Sequence, residues 1–215
     1  MTRFVAPALA ALIALLFLVA PSVVRLGFLL EPTASRAPTD LAFATNRGLG
    51  FLHILPGLLM VALAPVQLSD ALRRRAPLVH RVSGWAFVLT GLALSTTGAV
   101  MNVQFPVVGG WLKLSVIWVM CVALVVTLGL ALLALRRRDV AGHRRWMLRA
   151  VGIALSGGTA GIFAGPLFVM NGTVSDLMVG VSRWLGFLIT VGLVEVFLRR
   201  AQVLGVGGSS RRTSQ

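Results

Sequence analysis

Imidazole is the side chain best suited to hold a transition metal or pass a proton near neutral pH. This sequence has three: His53, His80 and His143. Two of them stand in the same figure. Arg73 to Trp85 reads RRRAPLVHRVSGW, and Arg136 to Leu148 reads RRRDVAGHRRWML. Each is three arginines, four residues, then His-Arg, and the two lie 63 residues apart. Paired imidazoles suit a haem iron or another transition metal, and the flanking Arg81, Arg144 and Arg145 can hold carboxylates such as haem propionates by charge-assisted hydrogen bonds. The cofactor this chemistry implies is haem b. The plain alternative is that triple-arginine blocks mark cytoplasmic loops and touch anionic headgroups, with Trp85 and Trp146 in the interfacial aromatic belt.

His53 stands apart, in GFLHILPGLLM. Its chemistry is either an outer metal site, with Met101 or Met170 as axial partner, or a proton relay with Asn102 or Gln104 at the same face. Pro56-Gly57, just below it, loosens the helix and frees carbonyls.

These residues need a scaffold, and the composition names it. The 215 residues are 57% hydrophobic and only 12% charged, with mean hydropathy +0.91. A soluble domain carries about 25% charged residues, so the chain reads as integral membrane protein. A net charge of +14 could suggest nucleic acid. That partner is excluded, because the basic residues lie in short blocks between long apolar runs. Cys121 is the single cysteine, inside an apolar run, and reads as inert packing.

A bilayer core needs about 20 apolar residues per helix. Six stretches qualify: Phe4 to Val24, Gly48 to Val66, Gly84 to Met101, Trp111 to Leu135, Leu148 to Val169, and Leu177 to Leu198. The fifth is rich in glycine (GGTAGIFAG), which allows close helix approach and places it inside the bundle. Arginine sets the orientation. With the N-terminus inside, the inner segments hold Arg3, Arg73 to Arg75, Arg81, Arg136 to Arg138, Arg144, Arg145, Arg149, Arg199, Arg200, Arg211 and Arg212. The outer side keeps Arg25, Arg36, Arg47, Lys113 and Arg183.

The expected fold is therefore an all-α six-helix transmembrane bundle, N-in and C-in, with two similar hairpins (helices 2-3 and 4-5). Residues 1–30 form the first span, an uncleaved signal anchor by the length of its apolar core; the alternative is a cleaved signal peptide, whose loss leaves five helices in the same orientation. Residues 31–47 are an outer loop, 48–200 the five-helix membrane core, and 201–215 a flexible cytoplasmic tail.

In this frame His80 and His143 sit just before helices three and five at equal depth. If those helices are neighbours, the imidazoles face each other. His53 lies about 20 Å away across the core, so it cannot bind the same metal. Glu195 has two readings: an i,i+4 pair with Arg199, or a partner supporting His80 or His143 from behind. Gln67 marks the inner end of helix two and satisfies loop backbone. Arg183 either snorkels outward or pairs with Asp176.

FLHILPGLLMVALAPVQ, RRRAPLVHRVSGW, HRRWMLRA and a last helix bearing Glu195 together resemble the bacterial predicted membrane protein family called domain of unknown function 2306. The resemblance spans about Arg47 to Arg199 and implies a multi-pass protein of the bacterial inner membrane. It marks His53, Gln67, His80, Arg81, Gly84, His143, Arg144, Trp146, Met147 and Glu195. A more distant similarity is to cytochrome b561 and ferric-reductase-like bundles, which hold haem between helix histidines. Those use two histidine pairs; three histidines here allow one.

Three function classes follow. A haem-binding or redox subunit would use His80 and His143 and need a redox partner, since no nucleotide-binding segment is present. A small transporter or lipid-handling protein would use His53, Glu195 and the Pro/Gly breaks, as a homo-oligomer. An accessory or scaffold protein would use only its arginine heads against anionic lipid. No serine-nucleophile, metalloprotease or phosphate-loop motif is present.

Overall fold

The structure is a computed structural model that describes residues 19–27, 29–30, 42, 45–105, 109–171 and 175–210. All regular structure among them is helical. Residues 19–27 are helical, and most of the expected first span lies outside the described residues. Beyond it run α1 (Arg47–Leu68), α2 (Asp70–Arg75), α3 (Pro77–Gln104), α4 (Gly110–Arg136), α5 (Val140–Asn171) and α6 (Asp176–Ser210). Five of these, all but α2, are long and apolar enough to cross a membrane.

The helices begin and end where local chemistry dictates. Ser69 Oγ accepts the Leu72 N–H at 3.2 Å and starts α2, whose Asp70 at the first turn and Arg73–Arg75 at the last complement the helix dipole. Pro77 at the first position of α3 costs no hydrogen bond there. Gly109, at φ +95°, turns the chain into α4 through the left-handed region. The α4–α5 turn is tight: Arg138 adopts φ +60°, and Asp139 Oδ1 accepts the Gly142 N–H at 2.7 Å. A Cβ at Gly142 would collide with the Asp139 carboxylate.

α1, α3, α4 and α5 form a four-cornered ring, each packed on the next, with α6 laid along α4 and α5. The core joins Met60 of α1, Phe87 of α3, Leu128 of α4, Ala150 and Ile153 of α5, and Phe187 of α6. In α3 and α5, 44% of the apolar window is buried, against 17–28% in the other three spans, so the glycine-rich helix does lie inside. Its closest approach is to α6, where Gly186 rests on the Ala160 backbone with no room for a Cβ.

Two expected boundaries move. The third and fifth spans start earlier than apolarity alone indicates, at Pro77 and Val140 rather than Gly84 and Leu148. Caps start a helix, and the polar first turns are helical too. The segment from 201 was expected as a flexible tail; α6 continues to Ser210.

Candidate functional site

One end of the bundle gathers the ends of α1, α4 and α6, the starts of α3 and α5, and all of α2; we call it the arginine end. His80 and His143 are not before their helices but inside them, each the fourth residue. Their backbones make equivalent bonds, His80 N to Ala76 O at 3.1 Å and His143 N to Asp139 O at 2.9 Å. The repeated figure is thus a repeated helix start.

Their helices are not direct neighbours, as the pairing idea supposed. α3 and α5 stand at opposite corners of the ring. Both histidines nonetheless lie at the same end of the ring, in the first turns of their helices. His143 Nδ1 lies 2.9 Å from the Ala131 carbonyl, which can only accept, so Nδ1 carries the proton and Nε2 keeps its lone pair when the ring is neutral. His80 Nδ1 is buried with no hydrogen-bond partner.

Gln67 supports the His80 turn from α1. Its Nε2 donates to Ser83 Oγ at 2.7 Å and to the His80 carbonyl at 3.3 Å. Gly84 makes this fit, since a Cβ there would come within 3.1 Å of Gln67 Oε1. Gln67 therefore holds the backbone of His80, not its ring.

The arginines divide. Arg144 Nη2 is bound to Asp70 Oδ1 at 2.8 Å, and Asp70 also takes Arg73 at 3.0 Å. Arg81 is exposed and Arg145 half-buried, with no side-chain bond for either among the described residues. Glu195 corrects both expectations made for it. Its oxygens take Arg149 Nε at 2.5 Å and Nη2 at 2.9 Å, joining α5 to α6 rather than serving Arg199 or a histidine. A bidentate arginine fork outcompetes a single-turn pair. Arg149 also lies 4.4 Å above the Trp146 ring.

The far end holds the starts of α1, α4 and α6. His53 Nδ1 meets Thr97 Oγ1 at 3.0 Å. The Thr97 hydroxyl donates its one proton to Ala93 O at 2.6 Å, so it accepts from His53 Nδ1–H. Gly98 lets His53 and Cys121 close in, both 3.4 Å from where a Cβ would stand. Asn102 Nδ2 donates to the Leu114 carbonyl at 3.1 Å, while its Oδ1 is buried and unpartnered, as is Ser95 Oγ. Met101 is buried with Leu29, Ile54 and Phe105, whereas Met170 is 79% exposed and Gln104 is exposed. Asp176 does not pair with Arg183; its Oδ1 accepts the Gly109 N–H at 2.8 Å.

Residues 50–198 match the family described as predicted membrane protein (DUF2306). The chain belongs to that family. No curated protein and no solved structure matches it. This DUF2306 chain is thus a multi-pass membrane protein whose histidines, Gln67 and Glu195 all fall within the matched region.

Sequence reasoning missed Thr97, Asp70 and Arg149 as partners. Asp70 carried a signal, as one of six acidic residues in the chain. Thr97 and Arg149 carried none, because the partners sit 44 and 46 residues away on other helices.

Proposed function

We propose that this protein is a haem-binding or redox subunit of the bacterial inner membrane, its arginine end cytoplasmic, with six spans counting the first segment. The carrying observation is that His80 and His143 are each the fourth residue of a helix, at the same end of one ring. Two features suit these histidines to hold a haem iron. His143 has its Nδ1 anchored and Nε2 free, and His80 has an orphaned buried nitrogen. Arg81 and Arg145 are uncommitted and suit propionates; Arg144 is engaged by Asp70. Haem b held there would supply one-electron transfer, with electrons from a partner.

The test is the reduced-minus-oxidised absorbance spectrum of protein purified from a haem-competent host. A haem signal is expected, lost in His80→Ala and in His143→Ala and kept in His53→Ala. A colourless preparation from such a host sinks the reading.

A small transporter or lipid-handling protein is the second reading. Pro56 below the His53–Thr97 bond, and the orphaned Ser95 and Asn102 atoms, favour it, because unpaired polar atoms inside a span mark places a polar guest can visit. A homo-oligomer fits that reading. A non-catalytic accessory protein held to anionic lipid by its arginine heads is what remains if neither haem nor a transported species is found.

A further inference from the structure

At the far end two half-buried cations have no carboxylate partner among the described residues. Lys113 is the fourth residue of α4 and Arg183 the eighth of α6, both half-buried. The turns that bear them are in contact. A Cβ at Gly180 would stand 3.2 Å from Lys113 N, and one at Gly109 would stand 2.7 Å from Lys113 Cβ and 2.8 Å from Val179 Cγ1. Val179 and Gly180 lie one turn before Arg183, on the same face of α6. The Trp184 indole N–H reaches Ser115 Oγ at 3.2 Å and fixes the two helices in this register.

Glu31 and Asp40 lie outside the described residues, and the four described acids pair with neither Lys113 nor Arg183. Asp70, Asp139 and Glu195 are at the arginine end, each already engaged. Asp176 is held by the Gly109 N–H. Among the described residues, no carboxylate pairs with Lys113 or Arg183. Like charges gathered at the edge of a low-dielectric span repel unless a counter-charge joins them.

We propose that the far-end face of α4 and α6 binds an oxyanion, a phosphate or phosphodiester, between Lys113 and Arg183. Arginine gives a planar fork matched to phosphate, and lysine a mobile point charge. Arg183 starts roughly 10 Å below the head of α6 by helix rise. Its side chain spans much of that distance by snorkelling, so a lipid headgroup at the surface and a free phosphate entering from it are both within reach. The site is separate from the histidine pair, and its fate is independent of the haem reading.

The test uses the full chain in a neutral detergent, stripped of lipid, in phosphate-free buffer. Two probes are titrated separately: inorganic phosphate, and short-chain phosphatidylglycerol against short-chain phosphatidylcholine. Binding is read by thermal shift and native mass spectrometry. Stabilisation by phosphate identifies a free oxyanion. Stabilisation by phosphatidylglycerol and not by phosphate identifies a headgroup. Arg183→Gln and Lys113→Gln should each weaken the responding probe about tenfold, the scale of one charge-assisted contact. Arg74→Gln, at the opposite end, should leave it unchanged and controls for nonspecific attraction. No response to either probe, or a response that survives both far-end substitutions, overturns the proposal.

Discussion

The two ends of this bundle handle charge differently. At the arginine end each carboxylate is committed: Asp70 to Arg73 and Arg144, Asp139 to the Gly142 N–H, Glu195 to Arg149. The surplus arginines there, such as Arg81 and Arg137, are exposed and need no partner. At the far end the cations are fewer, but Lys113 and Arg183 are half-buried within spans, and the one described carboxylate caps a loop. Depth, more than the number of charges, decides whether a cation needs company. An exposed guanidinium is solvated, whereas one drawn into the helix layer must find an anion or bring one in.

The comparison can be broken in four places. The largest effect is expected where α5 and α6 hold the two ends in register. Gly186→Leu has no space against the Ala160 backbone and should abolish a monodisperse bundle in size-exclusion chromatography. A variant that elutes and melts like the parent would show that this approach does not set helix spacing.

Next is a contrast of sign. Arg149→Gln leaves Glu195 without its fork, and should lower stability by about 2 kcal/mol, discounted from a fully buried pair because the two side chains are 25% and 33% exposed. Arg183→Gln, in lipid-free and phosphate-free detergent, should not lower stability. Thermal melts of both, side by side, decide it; equal losses would erase the distinction between the ends.

Smaller still is Asp139→Ala, which removes the cap of α5 and should cost about 1 kcal/mol. Smallest is Asp70→Asn. Its bridge to Arg144 is about half exposed and should be worth about 0–1 kcal/mol. High salt should mimic this substitution; a loss as large as that of Arg149→Gln would make the bridge a main support of the arginine end.

The sequence set much of the frame. Long apolar runs punctuated by arginine can be satisfied only as membrane helices, because a backbone in hydrocarbon must bond within its own segment. The spans from α1 to α6 and the inward place of the glycine-rich helix follow from that local rule. The repeated figure likewise announced two matching positions, and both proved to be the fourth residue of a helix. Partners were another matter. That Glu195 would choose Arg149 over Arg199, that Thr97 would hold His53, and that the two histidine helices would stand at opposite corners all depend on which helix faces are turned together. Apolar residues cover nearly the whole circumference of such helices, so periodicity leaves rotation open. Rotation and neighbourhood are set by close contacts such as Gly186 on Ala160 and Gln67 on Gly84, between residues far apart in the chain, and only the packed bundle brings them together.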